Sequence, residues 1–226
     1  MGKIDIKGDI VSDDAGAFYE YFGMSSTYPK LVQDAIANDE DEEITLNIAS
    51  NGGDVFAASE IYTMLKASGK RIVVNVQGLA ASAASVISMA GDTVRISPTA
   101  HIMIHKASTG IVGNSDDLEH QSAVLNSIDE SIALAYEMKT GLKQPELLDL
   151  MAKETWLNAK TAVDKGFADE IMFFENDEEE ILVTNATHQL PSKSAITKFK
   201  NMIATPKTNS LREQKLAILL EKMKGR

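Results

Sequence analysis

The side chains of this sequence best suited to covalent chemistry are a serine and a histidine. Ser82 lies in a run of small residues, Ala80, Ala81, Ser82, Ala83 and Ala84, that follows Gly78 and a β-type alternation over 72–76. The pattern predicts that the serine stands in the first turn of a helix reaching Ala90 and closed by Gly91. A hydroxyl there gains from the positive end of the helix dipole, and the unpaired N–H groups beside it could hold an oxyanion. To act as a nucleophile it still needs a base and an orienting acid. Without them the same serine is a helix cap, and the alanines are a surface for close packing.

The base is found by elimination among four histidines. His101 and His105 share one face of a strand, but at ~3.3 Å per residue they stand about 13 Å apart, too far for a common metal ion. His105 ends that strand on the side where parallel sheets present reactive groups, and His101 is at the opposite end. His120 falls on the polar surface of a helix and His188 in a polar linker. His105 is the candidate base, against the alternative of a strand-end histidine bonded to a carbonyl.

Around these residues the chain alternates strand and helix. Strands are expected over 3–10, 44–48, 71–76, 93–96, 101–104 and 168–174, and helices over 29–37, 55–68, 82–90, 115–139 and 158–165, with a short one from Pro145. Asp13, Asp14 and Gly16 read as a turn, residues 17–28 resist assignment, and residues 50–53 read as a sharp turn. Trp156 and Leu157 are expected in the core. Strand and helix in this order give an α/β fold with a parallel sheet built from right-handed crossovers. The helix from Asn114 or Ser115 is about 35 Å long by helical rise, more than a body of this size needs, so it can project and pair with another subunit.

Composition narrows the function classes. The net charge of -11, from 33 acidic against 22 basic residues, argues against binding nucleic acid or an anionic membrane. Cysteine is absent, which excludes disulfides, thiolate metal sites and a cysteine nucleophile. The N-terminus lacks the apolar core of a secretory signal, and the uncharged run 72–91 is too rich in Asn, Gln, Ser and Gly for a membrane span. The expected location is the cytoplasm. With 226 residues and 44% hydrophobic content, the chain is expected to form one domain over 1–174, an acidic and polar linker over 175–208, and a helical tail over 209–226. The tail helix, basic and amphipathic, suits docking on protein better than on membrane.

Four segments, 50–53 (SNGG), 78–83 (GLAASA), 103–105 (MIH) and 156–169 (WLNA through GFAD), resemble in order the motifs of the ClpP serine peptidases. The match is closest to the phage and prophage branch that processes capsid proteins during head maturation. It covers about residues 3–173 and fails over the tail. The resemblance implies a ClpP/crotonase-like fold with Ser82 as nucleophile and His105 as general base. It implies an oxyanion hole from the backbone N–H groups of Gly53 and Ala83, and this agrees with the close backbone approach that a glycine allows. The family's third member is an aspartate just before the Trp-Leu-Asn segment. The aligned residue here is Glu154, whose extra methylene needs a different backbone position, with Asp149 as fallback.

With these roles the expected activity is a serine endopeptidase working through an acyl-enzyme, with neither metal nor cofactor. An extended polypeptide substrate could add as a strand beside Asn51, Gly52, Thr109 and Gly110. The resemblance also implies a homo-oligomer of stacked rings, commonly heptamers, joined through the long helix. The chain has no GxxxxGK[ST] sequence, so ATP-driven unfolding would come from a separate protein. Two other readings remain: a crotonase-type acyl-CoA enzyme, and an inactive ring or capsid-associated scaffold.

Overall fold

The computed structural model describes residues 2–173. The linker and tail expected beyond them, and His188, lie outside the described residues. The chain runs β1(Gly2–Ile10), α1(Asp13–Tyr21), β2(Ser26–Thr27), α2(Pro29–Ala37), β3(Glu43–Gly53), α3(Val55–Ala67), β4(Arg71–Ala81) and α4(Ala83–Ser88). It continues through β5(Thr93–Ile96), β6(His101–Ile104), α5(Ser115–Thr140), α6(Gln144–Ala152), β7(Thr155–Asn158), α7(Ala159–Asp164) and β8(Glu170–Ile171).

Eight strands form one sheet in the order β2-β1-β3-β4-β5-β8, with β6 attached to β4 and β7 to β6. Every pairing is parallel except β6 with β7. The alternation of apolar and polar residues sets the register. Ile4, Leu46, Val74 and Val94 form one rung and Ile6, Ile48, Val76 and Ile96 the next, all buried. They pack in one core with Val32 of α2, Ala58, Ile61 and Leu65 of α3, and α4. Each of the Ile, Leu and Val side chains among them contributes about 1.5–3 kcal/mol when fully buried. Between the apolar rungs Asp5, Asn47 and Asn75 point the other way and form a ladder, Asn47 donating to Asp5 and Asn75 to Asn47.

Strand β4 has different neighbours along its length. Val73 to Val76 pair with β5, and Leu79 to Ala81 pair with β6. The sheet therefore branches at Gln77 and Gly78, and the branch carries the candidate site.

Several elements differ from the sequence expectation. Asp13 and Asp14 open a helix rather than a turn: Ser12 caps α1 by accepting from the Ala15 N–H, and the two acids sit in its first turn. Residues 50–53 continue β3 instead of turning, and β4 runs through Gly78 to Ala81. In both cases inter-strand pairing, Ser50 with Ala80 and Leu79 with His101, overrides the local preference of small residues for turn or helix. Leu157 is buried, but Trp156 on the outer face of β7 is 53% exposed. At its ends α5 follows the expected chemistry, with a capping box of Asn114 and Asp117 at the start and left-handed Gly141 at the end.

Candidate active site

Ser82 stands between strand and helix. Its N–H donates to the Met103 carbonyl at 2.9 Å, a last bond of the β4–β6 pairing. Its own carbonyl accepts from the Ser85 and Val86 N–H groups at 2.9 and 3.3 Å, starting α4. Meeting both demands puts the residue at φ 54°, ψ -122°, a conformation costing about 1–3 kcal/mol outside glycine. The strain aims the hydroxyl out of the end of the sheet.

His105 follows the last residue of β6, and its Nε2 lies 2.7 Å from Ser82 Oγ. The parallel pairing of Ala81 with Met103 brings the two strand ends level, so the serine and the histidine meet across the branch. The two candidates from the sequence are thus in direct contact. His101, at the far end of β6, and His120, on the surface of α5, are both exposed.

The strand ends also bring up backbone donors. A Cβ on Gly52, whose φ is +96°, would lie 2.8 Å from Ser82 Cβ and 3.0 Å from the Ala83 nitrogen, so only glycine lets β3 approach this closely. Gly53 is equally restricted on its other side, where a Cβ would stand 2.1 Å from the Ile10 carbonyl oxygen. Ala83 is the first residue of α4, and its N–H has no partner within the helix. Asn51 is exposed on β3, while Thr109 and Gly110 are exposed in the irregular segment between β6 and α5.

The carboxylates are arranged differently. Ile104 pairs with Thr155 at the end of the antiparallel β6–β7 edge, and His105 and Glu154 are the residues just beyond that last pair on the two strands. Glu154 has φ 49°. Its Oε1 accepts from the Trp156 indole N–H at 3.2 Å, and no carboxylate among the described residues is hydrogen-bonded to the imidazole. Asp149 lies on exposed α6 surface, paired with Lys153 at 2.5 Å.

Two polar groups unmarked by any motif reach the same backbone. Asp129 of α5 is buried, and its Oδ1 accepts from the Ala107 N–H at 2.8 Å. Tyr136 of α5 is also buried, with its hydroxyl 2.7 Å from Ser85 Oγ, which in turn is 2.6 Å from the Ser82 carbonyl oxygen. Burial pushes the Tyr136 hydroxyl pKa far up. The legible signal for Asp129 was a charge in an apolar stripe, between Ile128 and Ile132.

A serine at a strained strand-to-helix junction, bonded to a histidine from the neighbouring parallel strand, has the make-up of a hydrolase nucleophile on an α/β sheet. Comparison with known proteins is more specific. The family described as Clp protease matches residues 28–175, and the chain belongs to that family. Among its relatives is an ATP-dependent Clp protease proteolytic subunit of Deinococcus radiodurans, 31% identical over 134 residues, covering 58% of this chain and 66% of that protein. The proteolytic subunit 1 of Chlamydia abortus is 32% identical over 140 residues, covering 60% of this chain and 73% of that protein. Subunit 2 of Tropheryma whipplei is 27% identical over 137 residues, covering 60% and 76%.

Proposed function

We propose that this chain is a serine endopeptidase, with Ser82 as nucleophile, His105 as general base and Glu154 as the acid that orients the imidazole. The observation that carries the reading is the 2.7 Å contact between Ser82 Oγ and His105 Nε2. The base role requires the tautomer protonated on Nδ1, leaving Nε2 free to accept. His105 takes the hydroxyl proton as Oγ bonds to the peptide carbonyl carbon. The N–H groups of Gly53 and Ala83 hold the negative oxygen. Collapse breaks the C–N bond, with the proton passing from His105 to the leaving amine, and water activated by the same histidine then releases the acyl group.

Glu154 enters by turning from the Trp156 indole to the Nδ1–H, a rotation of its own side chain just beyond the last β6–β7 pair, as His105 is on the other strand. Asn51, Gly52, Thr109 and Gly110 flank the cleft where an extended chain would be bound by its backbone. The relatives' names, proteolytic subunits of ATP-dependent proteases, support a polypeptide substrate. Rings of identical chains joined through α5, and work in the cytoplasm with a separate unfoldase or with capsid proteins in phage head maturation, are the finer parts of the same proposal.

A fluorophosphonate probe tests it. Labelling that maps to Ser82, vanishes in Ser82→Ala and drops at least about 10³-fold in His105→Ala is the expected result. Folded wild-type protein that takes no label overturns the proposal and favours an inactive scaffold.

A further inference from the structure

We propose that α5 sets the distance between the candidate nucleophile and base, with Asp129 and Tyr136 as positioning residues on its inner face; this rests on the roles given to Ser82 and His105 above. A buried carboxylate is costly, and an apolar residue would suit the core at position 129 better unless the charge has a specific partner. Asp129 is 3% exposed, and it has two partners, the Ala107 N–H at 2.8 Å and Lys106 Nζ at 3.6 Å. Both belong to the stretch that leaves β6 directly after His105, where strand pairing has stopped. The carboxylate therefore takes over from the sheet in fixing the backbone that carries the imidazole.

Tyr136 does the same for the serine through one intermediary. Ser85 has a single hydroxyl proton, and it is directed to the Ser82 carbonyl oxygen at 2.6 Å. The 2.7 Å bond between Ser85 and Tyr136 then has the tyrosine as donor. A relay from Tyr136 through Ser85 to Ser82 thus adds a third donor to a carbonyl already held by two N–H groups, at the residue whose backbone is strained.

Asp129 and Tyr136 are about two turns apart, roughly 10 Å along the axis and on one side of the helix. Ile132 and Ala133, buried between them, seat that side in the core. Both tethers therefore spring from one rigid rod. Reacting groups misplaced by about 1 Å lose about 10²-fold in rate, so a common support for both strand ends bears directly on turnover.

The test measures Ser82 phosphonylation by the same probe, separating the maximal rate from the half-saturating concentration. Asp129→Ala is expected to slow the maximal rate about 10–100-fold and to leave half-saturation within about twofold. Asp129→Asn should restore most of the rate, because its amide oxygen can still accept from the Ala107 N–H. In a His105→Ala background Asp129→Ala should have less than about twofold further effect. Tyr136→Phe should slow labelling about 3–10-fold in either background. A full Asp129→Ala effect without His105, or no rescue by asparagine, overturns the proposal. Should Asp129→Ala not fold, Asp129→Leu, of the same branched skeleton and without an acceptor, takes its place.

A second readout requires no activity. Nitrogen NMR of the His105 imidazole should show the Nε2 signal displaced in both Asp129→Ala and Tyr136→Phe, and Ala107 amide exchange should be at least about tenfold faster in the former. Unchanged imidazole signals in both variants overturn the positioning role. If wild-type protein takes no label, the peptidase reading fails, while the NMR result still decides the role of α5.

Discussion

Ser82 and Glu154 are two of the three non-glycine positions with positive φ among the described residues, 54° and 49°, and their side chains are held in opposite ways. The serine is fixed from every side: its N–H by β6, its carbonyl by α4 and Ser85, its hydroxyl by the imidazole. The glutamate precedes β7, a four-residue strand attached to the sheet only through β6, and its carboxylate is held by the indole of Trp156, two residues along. A position fixed by several neighbouring elements keeps one geometry. A position just before the outermost strand leaves a choice between partners.

This contrast can be broken by experiment. The largest effect is expected from His105→Ala, a loss of about 10⁴-fold or more in kcat/KM, with Ser82→Ala in the same chain adding little. Glu154→Gln should cost about 10²–10³-fold if the carboxylate turns to the imidazole during turnover. Near wild-type activity in Glu154→Gln together with its loss in Asp149→Asn would transfer the role to α6. Gly52→Ala forces a Cβ to 2.8 Å from Ser82 Cβ and should cost about 10²-fold in kcat, since no flexible side chain is there to yield. Gly78→Ala, where a Cβ would meet nothing within 4 Å, should stay within about threefold of wild type. Trp156→Phe removes the indole N–H and should raise kcat/KM by up to about threefold; a decrease would show that the indole supports the carboxylate instead of competing for it.

The smallest effect concerns alkaline stability. The folded pKa of Tyr136 is raised above the ordinary tyrosine value by burial. Its contribution to stability is therefore complete below the unfolded value of about 10 and lost as pH rises from there toward the folded one. The stability gap between wild type and Tyr136→Phe, measured by urea unfolding, should be constant up to about pH 9.5 and narrow above it. A gap that widens above pH 10 would contradict the burial of an un-ionised hydroxyl.

The helix ends and apolar strands were legible from one sequence because capping residues and alternation act locally. Pro29, Asn114 and Gly141 mark their helix ends, and Ile44 to Ile48 alternate as a strand must. Serine and histidine were picked out by residue type and place along the chain, and the structure joins them by a hydrogen bond. The branch of the sheet was not legible. Residues 77–81 have no local signal for strand, and they are extended because His101, Ile102 and Met103 lie beside them. Ser85 was equally silent, since its importance comes from a partner more than fifty positions away, Tyr136, and the charge of Asp129 in an apolar stripe did not point to its own partner, Ala107, more than twenty positions back.

The fork in β4 makes this strand a splice between two structures with separate duties. Its first half is clamped into the wide sheet by Val94 and Ile96, while its second half is gripped only by a narrow finger of β3, β6 and β7. Wear on one half is screened from the other by the unpaired link at Gln77 and Gly78. The β5 and β8 edge therefore communicates with the fingertip by way of α5, whose Lys139 bonds both Asp169 and the Gly91 carbonyl, more than along the strand itself.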